Sequence, residues 1–363
     1  MPQHPKVAIM ILNHNGLRWL PRCLSSLAQT NYPNYEIYLI DNASIDESCE
    51  YVTKNFPGVK MIRYRENLGF AEAYSRAIEA VDADHILLLN NDTEILNSNW
   101  LRSLENTMSE PDVAAVTCKM VSTIDHSILD SVGGMGIPFW RGFVDIGKCE
   151  VDNRQHDLCG PEPFSFCGGA ALISKSALRI VGGFDKKLFM YFEDVDLSWR
   201  FRLRGYKIGY SPEAKVAHFR GGSADRNFFD GFYFCHRNLL RTIVKNCGET
   251  LEWALFNYLL YSLIMISLGS FITSRRAIPG KVLLGAIWNL RNFKDTYKQR
   301  LTIQAKRHLP DTEIIGAMFP NISRYQPVRD SFFTHVLNTI FESSQKRDYE
   351  RSKRVVNATN ERP

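Results

Sequence analysis

The sequence contains eight cysteines but no Cys-x-x-Cys pair. Zinc ribbons and thiol redox motifs are built on such pairs, so neither is a good interpretation of this chain. The first six residues, Met1 to Lys6, also lack the features of a secretory signal. We therefore expect the thiols to be reduced and the protein to be cytoplasmic.

Glycine-rich dinucleotide fingerprints are missing as well. His14-Asn15-Gly16 follows the first apolar run in place of G-x-G-x-x-G. The cluster Gly133-Gly134-Met135-Gly136 neither follows a strand nor opens a helix, and it is predicted to be a flexible loop. A nicotinamide-dependent dehydrogenase is therefore disfavoured. The sequence also has no internal repeat.

The composition is that of a folded globular protein. The 363 residues are 45% hydrophobic and 23% charged, which suffices for one large domain or two smaller ones. The formal net charge is only +5. This excess favours an anionic ligand or an anionic membrane surface, or reflects only a solvated surface, and no nucleic-acid partner is expected.

Short apolar runs alternate with helical patterns in the first part of the chain. Strands are predicted at 7–12, 36–40, 59–64, 86–89 and 113–116. Leu17, Leu20, Leu24 and Leu27 have helical spacing between the first two runs. This alternation predicts an α/β fold with a mostly parallel central sheet and helices on both faces.

Polar residues follow four of the predicted strands. Asn13 and Asn15 come after the first, Asp41 after the second, Asn67 after the third and Asp92 after the fourth. Each residue alone is more often a turn residue or a helix cap. Ligands in parallel sheets bind beyond the carboxyl ends of the strands, so the four positions together predict a shared site.

Three carboxylates, Glu193, Asp194 and Asp196, follow the aromatic run Phe189 to Phe192. On a helix Asp196 can pair with Arg200, four residues later. Aromatic shielding from water raises the pKa of a carboxyl group and makes it a better base. The alternative is an acidic first helical turn that the helix dipole favours.

Two further positions suggest a metal or a diphosphate. Asp92, after the fourth strand, can hold Mg²⁺ or Mn²⁺ together with substrate phosphates, although a helix cap is the simpler interpretation. His218 lies beside Arg220 and two glycines, a combination that suits either ligand. A histidine in a surface loop is the alternative.

Taken in order, these motifs resemble the inverting family 2 glycosyltransferases with the GT-A fold, and more narrowly the rhamnosyltransferase-like bacterial members that build surface polysaccharides of the cell envelope. No single motif is specific, but the ordered set over about residues 7–223 is. The matching pieces are Asn13-His14-Asn15-Gly16, Asp41-Asn42-Ala43-Ser44, Asn67-Leu68-Gly69-Phe70, Asn90-Asn91-Asp92, Gly168-Gly169-Ala170, Gly182-Gly183-Phe184-Asp185, Glu193-Asp194-Val195-Asp196, and His218 with Gly221-Gly222-Ser223.

The resemblance implies roles for the matching residues. Asp194 would be the catalytic base, and Asp92 and His218 would hold Mg²⁺ or Mn²⁺, with Asn90 at the first position of the D-x-D-like motif. Acceptor binding or support would fall to Glu193, Trp199 and Arg200. Nucleotide and donor binding would fall to Asn13, Asn15, Asp41, Asn67, Gly69, Asn91, Gly168 and Gly169.

The implied reaction is an inverting transfer of a sugar to a hydroxyl of a glycan or lipid-linked glycan. The implied donor is dTDP-rhamnose or a UDP-sugar. Two alternatives stay open. A nucleotidyltransferase-like enzyme would need a phosphate-gripping glycine loop near the first strand, where only Arg18 and Arg22 follow a short loop. An inactive nucleotide-sugar-binding protein is disfavoured because Asp92, Asp194 and His218 are all present.

Three regions are predicted: a GT-A-like nucleotide-sugar-binding domain at 1–227, a helical region at 228–310, and a polar tail at 311–363. The 22 residues from Trp253 to Ser274 carry no charge and precede Arg275, Arg276 and Lys281. Because a single crossing would put those cations outside, we expect peripheral contact with the inner face of the cytoplasmic membrane. The alternative is a buried helix, or the interface of a homo-oligomer.

Overall fold

A computed structural model of the chain describes residues 4–137, 142–157, 162–219, 228–271 and 277–319. Several predicted features lie outside these residues. They are the motif residues Arg220 to Ser223, the basic pair Arg275 and Arg276, and the part of the predicted tail beyond residue 319.

The elements of the described residues begin with a regular strand–helix alternation. The strands are β1 (Val7–Asn13), β2 (Tyr35–Asn42), β3 (Lys60–Tyr64), β4 (His85–Asn90), β5 (Thr93–Ile95), β6 (Val113–Ser122), β7 (Leu129–Ser131), β8 (Gly134–Ile137), β9 (Gly142–Asp145), β10 (Ala170–Ser174) and β11 (Lys207–His218). The helices are α1 (Leu20–Leu27), α2 (Ser48–Asn55), α3 (Gly69–Ala80), α4 (Trp100–Met108), α5 (Lys175–Val181), α6 (Glu193–Leu203), α7 (Phe228–Asn246), α8 (Leu251–Phe271), α9 (Ala277–Arg291), α10 (Phe293–Ala305) and α11 (Asp311–Met318).

The predicted α/β fold is confirmed. Eight strands run in the spatial order β3-β2-β1-β4-β10-β6-β11-β5, and β7 pairs with β6 outside this path. The first four of them are mutually parallel, as are β6 and β11. Strand β10 runs antiparallel between β4 and β6, so the sheet is mixed rather than uniformly parallel. The carboxyl ends of β1, β2, β3 and β4 therefore meet at one edge.

The core has two layers because β1 is apolar on both faces. Its odd-numbered residues, Val7, Ile9 and Ile11, pack in the layer that contains α1 and α4. Ala8 and Met10 pack in the opposite layer, with α3 and α6. A strand buried on both faces reads as a continuous apolar run, which is why the short sequence pattern located β1 and β4 so well.

One local prediction is wrong. Residues 133–136 are not a loop, because Gly134–Ile137 is strand β8, paired antiparallel with β9 in a two-stranded sheet. The Gly134 N–H also donates to the Ser165 carbonyl at 2.8 Å, and its own carbonyl accepts from the Ser165 N–H at 3.1 Å. Backbone pairing with the nearby strand β9, and with Ser165, forms this strand, and such pairing leaves no side-chain periodicity in the sequence.

Helix α7 joins the helical region to the sheet domain through buried charges. Asp185 accepts from Arg241 Nε at 2.7 Å and from Lys245 Nζ at 2.5 Å. Lys245 also lies 2.8 Å from Asp196. Burial alone would raise the pKa of Asp185, but the two cations hold it well below its usual range. The chain through Met318 forms one compact unit, and Asp311 of α11 is buried within it.

Removing the Asp185 carboxylate should destabilise the fold strongly. Asp185→Ala leaves Arg241 and Lys245 buried without this partner, and breaking such a group typically costs about 3–5 kcal/mol. Urea unfolding, followed by circular dichroism, measures the change. The control is Lys60→Ala, which breaks the exposed Lys60–Glu36 pair and should leave the unfolding midpoint almost unchanged. Equal midpoints for the two variants would contradict a stabilising role of the buried charges.

Candidate active site

The ends of β1 and β4 are tied together by asparagine side chains. Asn91 Nδ2 donates to Asn13 Oδ1 at 2.9 Å, and Asn13 Nδ2 donates to Ser44 Oγ and Ser48 Oγ at 3.1 and 3.0 Å. Asn13 and Asn91 are both buried. These two predicted donor-binding residues therefore organise the floor of the strand-end edge through their own hydrogen bonds.

A second cluster connects β2 with the start of α3. Asn42 Nδ2 donates to Asn67 Oδ1 at 3.0 Å, and Asn42 Oδ1 accepts from the Leu68 N–H at 2.8 Å. Gly69 has a φ of +73°, and a Cβ there would collide with the Phe189 backbone and ring. Glycine is thus required where the helix begins against the Phe189 segment.

The first β-α loop and the end of β2 approach each other. Asn15 has a left-handed φ of +54°, and its Oδ1 accepts from the Ile45 N–H at 2.7 Å. Its own N–H donates to Ser44 Oγ at 3.0 Å. The buried Asp41 accepts from the Ser44 N–H at 3.3 Å. Asn15, Asp41 and Ser44 therefore form one surface beside the Asn13 cluster.

Asp92, His218 and Asp130 form an ionisable cluster at the other side of this edge. His218 Nδ1 lies 2.7 Å from Asp130 Oδ2, and His218 Nε2 lies 3.3 Å from Asp92 Oδ1. Burial alone would lower the pKa of His218, but hydrogen bonds to the two carboxylates raise it to about 9. The histidine is thus held between two negative charges.

This geometry suits a cation between Asp92 and His218. When Asp130 accepts the Nδ1 proton of a neutral imidazole, the Nε2 lone pair faces Asp92 Oδ1, and two facing acceptors need a proton or a metal ion between them. Among the described residues no group of three or more His, Cys, Asp or Glu is arranged to hold a metal by itself. Mg²⁺ needs only one or two protein carboxylates when substrate phosphates complete its shell, so the residues fit.

Asp194 is a partly buried carboxylate at the first turn of α6. Its Oδ2 accepts from the Gly168 N–H at 3.1 Å, and its Oδ1 accepts from the Val195 N–H at 2.8 Å. Burial raises the pKa of Asp194 to about 6, although these N–H groups oppose the shift. The acids thus occupy a first helical turn, as the alternative interpretation expects, and the raised pKa of Asp194 is compatible with proton transfer near neutral pH.

A chain of contacts joins Asp194 to Asp92. The Gly168 N–H bonds Asp194, and the carbonyl of the next residue, Gly169, accepts from the Asn90 N–H at 2.9 Å. Asn90 Nδ2 lies 3.4 Å from His218 Nε2, which faces Asp92. The predicted base and the predicted metal residues thus belong to a single site.

The three predicted acceptor or support residues, Glu193, Trp199 and Arg200, all belong to helix α6. Glu193 is buried, and burial together with the Asp194 charge raises its pKa well above the usual range. Trp199 is fully buried beside Phe143 and Phe164. Arg200 Nε donates to Asp196 at 3.0 Å, which confirms the predicted pair. Trp199 and Arg200 therefore contribute packing and charge pairing inside the fold.

Residues 189–192, directly before Glu193, have a strained backbone. Phe189, Tyr191 and Phe192 have φ values of +66°, +65° and +70°. Left-handed backbone costs a bulky L-residue roughly 1–2 kcal/mol, so the surrounding structure must hold this segment in place. Strain of this kind is concentrated at functional sites.

Some residues of this site were absent from the sequence prediction. Asp130 bonds His218, Asn42 bonds Asn67, and Asp145 of β9 lies near enough to help raise the Asp194 pKa. Asn42 belongs to the motif Asp41-Asn42-Ala43-Ser44, so the sequence pattern could have identified it. Asp130 and Asp145 are isolated in sequence, and only the tertiary fold brings them to the site.

The sheet and the site at its carboxyl edge define a GT-A-like glycosyltransferase domain. Residues 8–179 match the family model of glycosyl transferase family 2. The fold is also that of a mannosyltransferase from Pyrobaculum calidifontis, solved in complex with GDP-Man and Mn²⁺. That structure has a TM-score of 0.50 at 17% identity and covers 90% of this chain and 89% of that chain.

The chain is also similar in sequence to two bacterial proteins. The chain is 24% identical over 230 residues to an O-antigen biosynthesis protein of Myxococcus xanthus, covering 60% of this chain and 18% of the relative. It is 29% identical over 232 residues to the N-acetylglucosaminyl-diphospho-decaprenol L-rhamnosyltransferase of Mycobacterium tuberculosis, covering 57% of this chain and 74% of the relative. The chain thus spans less than a fifth of the length of the first relative.

Proposed function

We propose that the chain is an inverting glycosyltransferase that moves a sugar from a nucleoside-diphosphate donor to an acceptor hydroxyl. The observation that carries this proposal is the partly buried Asp194, whose pKa is raised to about 6 and which Gly168 and Gly169 connect to the end of β4 beside Asp92 and His218. A base with a pKa near the working pH and a cation site for a diphosphate are the two parts that such a transfer needs.

In the proposed reaction Asp194 accepts the proton of the acceptor hydroxyl. The acceptor oxygen forms a bond to the anomeric carbon as the bond from that carbon to the diphosphate oxygen breaks. The electron pair of the broken bond leaves with the nucleoside diphosphate. Attack from the face opposite the leaving group inverts the anomeric configuration, and no covalent intermediate on the protein is required.

Asp92 and His218 would hold the divalent ion, Mg²⁺ or Mn²⁺. When bound, this ion supplies Lewis-acid stabilisation of the negative charge that develops on the leaving diphosphate. Asp130 orients His218 by accepting its Nδ1 proton at 2.7 Å. The Mn²⁺ in the complex of the Pyrobaculum calidifontis enzyme supports this choice of ion.

The donor we propose is dTDP-rhamnose, with UDP-sugars as the second choice, and the acceptor is a glycan or lipid-linked glycan of the cell envelope. The name of the Mycobacterium tuberculosis relative, an L-rhamnosyltransferase acting on a diphospho-decaprenol carrier, supports both. A donor screen that measures release of nucleoside diphosphate tests the proposal. Pyrophosphate release instead would indicate nucleotidyl transfer, and binding without any turnover would indicate an inactive nucleotide-sugar-binding protein.

The faces of α8 support a membrane contact. This is the one helix in the described part of the chain that is long and apolar enough to cross a membrane. Three of its polar residues, Asn257, Tyr258 and Ser262, are buried, whereas Ser267 and Ser270 near its end are exposed. Ser262 Oγ and Tyr258 Oη lie 3.3 and 2.7 Å from His236 Nε2. Phe256 and Leu263 are 66% and 61% exposed. A helix at a water-facing surface has the opposite arrangement, so the outer face suits lipid.

Helix α9 extends the same apolar surface. Leu283, Leu284 and Leu290 are exposed, whereas Gly285 and Asn289 face α7. We propose that α8 and α9 lie against the inner face of the cytoplasmic membrane, where a lipid-linked acceptor presents its sugar. The two helices would insert only their apolar faces into the membrane–water interface and would not cross the bilayer. This arrangement fits the distribution of exposed apolar residues on α8 and α9.

The membrane proposal predicts that the full chain sediments with membranes and resists a high-salt wash. Replacing two exposed apolar residues, Phe256→Gln with Leu263→Gln, should move most of the protein to the soluble fraction, because apolar contact provides the binding. The control replaces Ile45 and Ile124, which are 93% and 74% exposed elsewhere, with glutamine and should leave the distribution unchanged. A full chain that is wholly soluble without detergent would contradict the proposal, and an oligomeric interface would replace it.

A further inference from the structure

A buried asparagine of α7 bonds the backbone of the strained segment before Asp194. Asn238 of α7 is fully buried, and its Nδ2 donates to three carbonyls, those of Leu188, Met190 and Tyr191, at 3.0, 2.9 and 2.8 Å. The amide is oriented by Arg237, whose Nε donates to Asn238 Oδ1 at 2.8 Å.

Every backbone carbonyl from residue 187 to residue 192 accepts a hydrogen bond. Arg237 Nη2 donates to Lys187 at 3.2 Å and to Leu188 at 2.7 Å. The Phe189 carbonyl accepts from the N–H groups of residues 70 and 71 at the start of α3, and the Phe192 carbonyl accepts from the Asp196 N–H. Asn238 supplies bonds at the Met190 and Tyr191 carbonyls.

We propose that Asn238 is a positioning residue that holds the left-handed segment 189–192 and thereby fixes the Asp194 carboxylate against the Gly168 N–H. This inference rests on the proposed function, because it assumes that Asp194 is the base. The positioning role gives α7 a function in sugar transfer that is separate from any membrane contact of α8 and α9. A misplacement of about 1 Å at a reacting group can lower a rate about 10²-fold.

The pH profile reports on the position of the carboxylate. The titratable groups near Asp194 are Glu193 on its own helix, Asp145 of β9, Cys167 before β10 and Cys235 of α7. Burial raises the pKa of both thiols, that of Cys235 to about 12, so neither titrates near neutral pH. Because burial is also the main cause of the raised Asp194 pKa, water that enters a loosened segment should lower this pKa.

The test compares Asn238→Ala with Asn289→Ala. Asn289 is a buried asparagine of α9 whose Nδ2 donates to the carbonyls of Arg237 and Gly285, both at 2.9 Å, without contact to segment 189–192. Asn238→Ala should lower kcat about 10²-fold, change the donor KM much less, and move the acid limb of the kcat/KM profile from about pH 6 to lower pH. Asn289→Ala should lose a similar thermal stability but keep kcat and the acid limb.

Suppose that Asn238→Ala and Asn289→Ala have the same kcat per folded molecule and the same acid limb of the kcat/KM profile. That result would overturn the positioning role of Asn238. If Asn238→Ala does not fold, Asn238→Ser, which keeps one donor, carries the same comparison with a smaller expected loss. Asp194→Asn is assayed in parallel. Normal turnover of that variant would refute the proposed base, whereas an inactive Asp194→Asn beside a fully active Asn238→Ala would refute only the positioning role.

Discussion

The Asp194→Asn variant is expected to transfer sugar about 10²–10⁴-fold more slowly than the wild-type chain, with nucleotide affinity preserved. The substitution removes the proton acceptor but keeps the size of the side chain at the first turn of α6. Asp194 bonds the N–H groups of Gly168 and Val195. The proposed nucleotide-binding residues Asn13 and Asp41 bond Ser44 instead, at the ends of β1 and β2. Steady-state release of nucleoside diphosphate and calorimetric binding of the nucleotide measure the two quantities separately.

The control for this variant is Asp196→Asn, two residues further along the same helix. Asp196 is buried and bonds Lys245 and Arg200, so its loss should lower stability more than the turnover of the folded protein. In the wild-type chain kcat/KM should rise with pH through about 6, as Asp194 loses its proton. Near-normal turnover of Asp194→Asn, in a preparation free of wild type, would refute the assignment of the base.

Exhaustive chelation is expected to abolish transfer, and Asp92→Ala is expected to do the same in the presence of metal. Both changes remove the charge that stabilises the departing diphosphate, which is a contribution of several kcal/mol to the barrier. Re-addition of Mn²⁺ or Mg²⁺ should restore the chelated wild-type chain but not Asp92→Ala. Full activity after chelation would show that the chain uses other groups to neutralise the leaving diphosphate.

A milder variant separates metal binding from general damage to the site. Asp130→Asn leaves Asp92 and His218 in place but removes the carboxylate that bonds His218 Nδ1. Loss of such an outer partner typically weakens metal affinity about 10–100-fold. The variant should therefore need more metal for half-maximal activity and should approach the wild-type rate at saturating metal. An unchanged metal requirement would contradict the proposed role of Asp130.

Strands β1 and β4 could be predicted from sequence because they are buried on both faces. Strand β1 and strand β4 are unbroken apolar runs, and such runs locate a strand without knowledge of its neighbours. Strand β8 could not be predicted, because two of its four residues are glycines, which give no hydrophobic pattern. Backbone pairing with β9, and a bridge from Gly134 to Ser165, form it. The antiparallel insertion of β10 between β4 and β6 is likewise invisible in the strand order along the chain.

The inward direction of Asn257 and Ser262 on α8 was also beyond the sequence. Asn257 and Ser262 interrupt an apolar run, and in the sequence they count against a single transmembrane crossing. In the fold both are buried, with Ser262 beside His236, so the interruptions lie on the protein side of the helix. Composition records which residues are present, but only packing decides which face of a helix they occupy.

By itself the sequence determined the α/β class, the strand-end positions of Asn13, Asp41, Asn67 and Asp92, and the acidic start of α6. These features depend on local hydrophobic pattern and on spacing along the chain, which a single sequence contains. The tertiary structure alone decided that Asp130 bonds His218, that Gly168 donates to Asp194, and that Asn238 holds the segment before it. Those contacts join residues 26 to 88 positions apart, and their geometry follows from how the helices pack on the sheet.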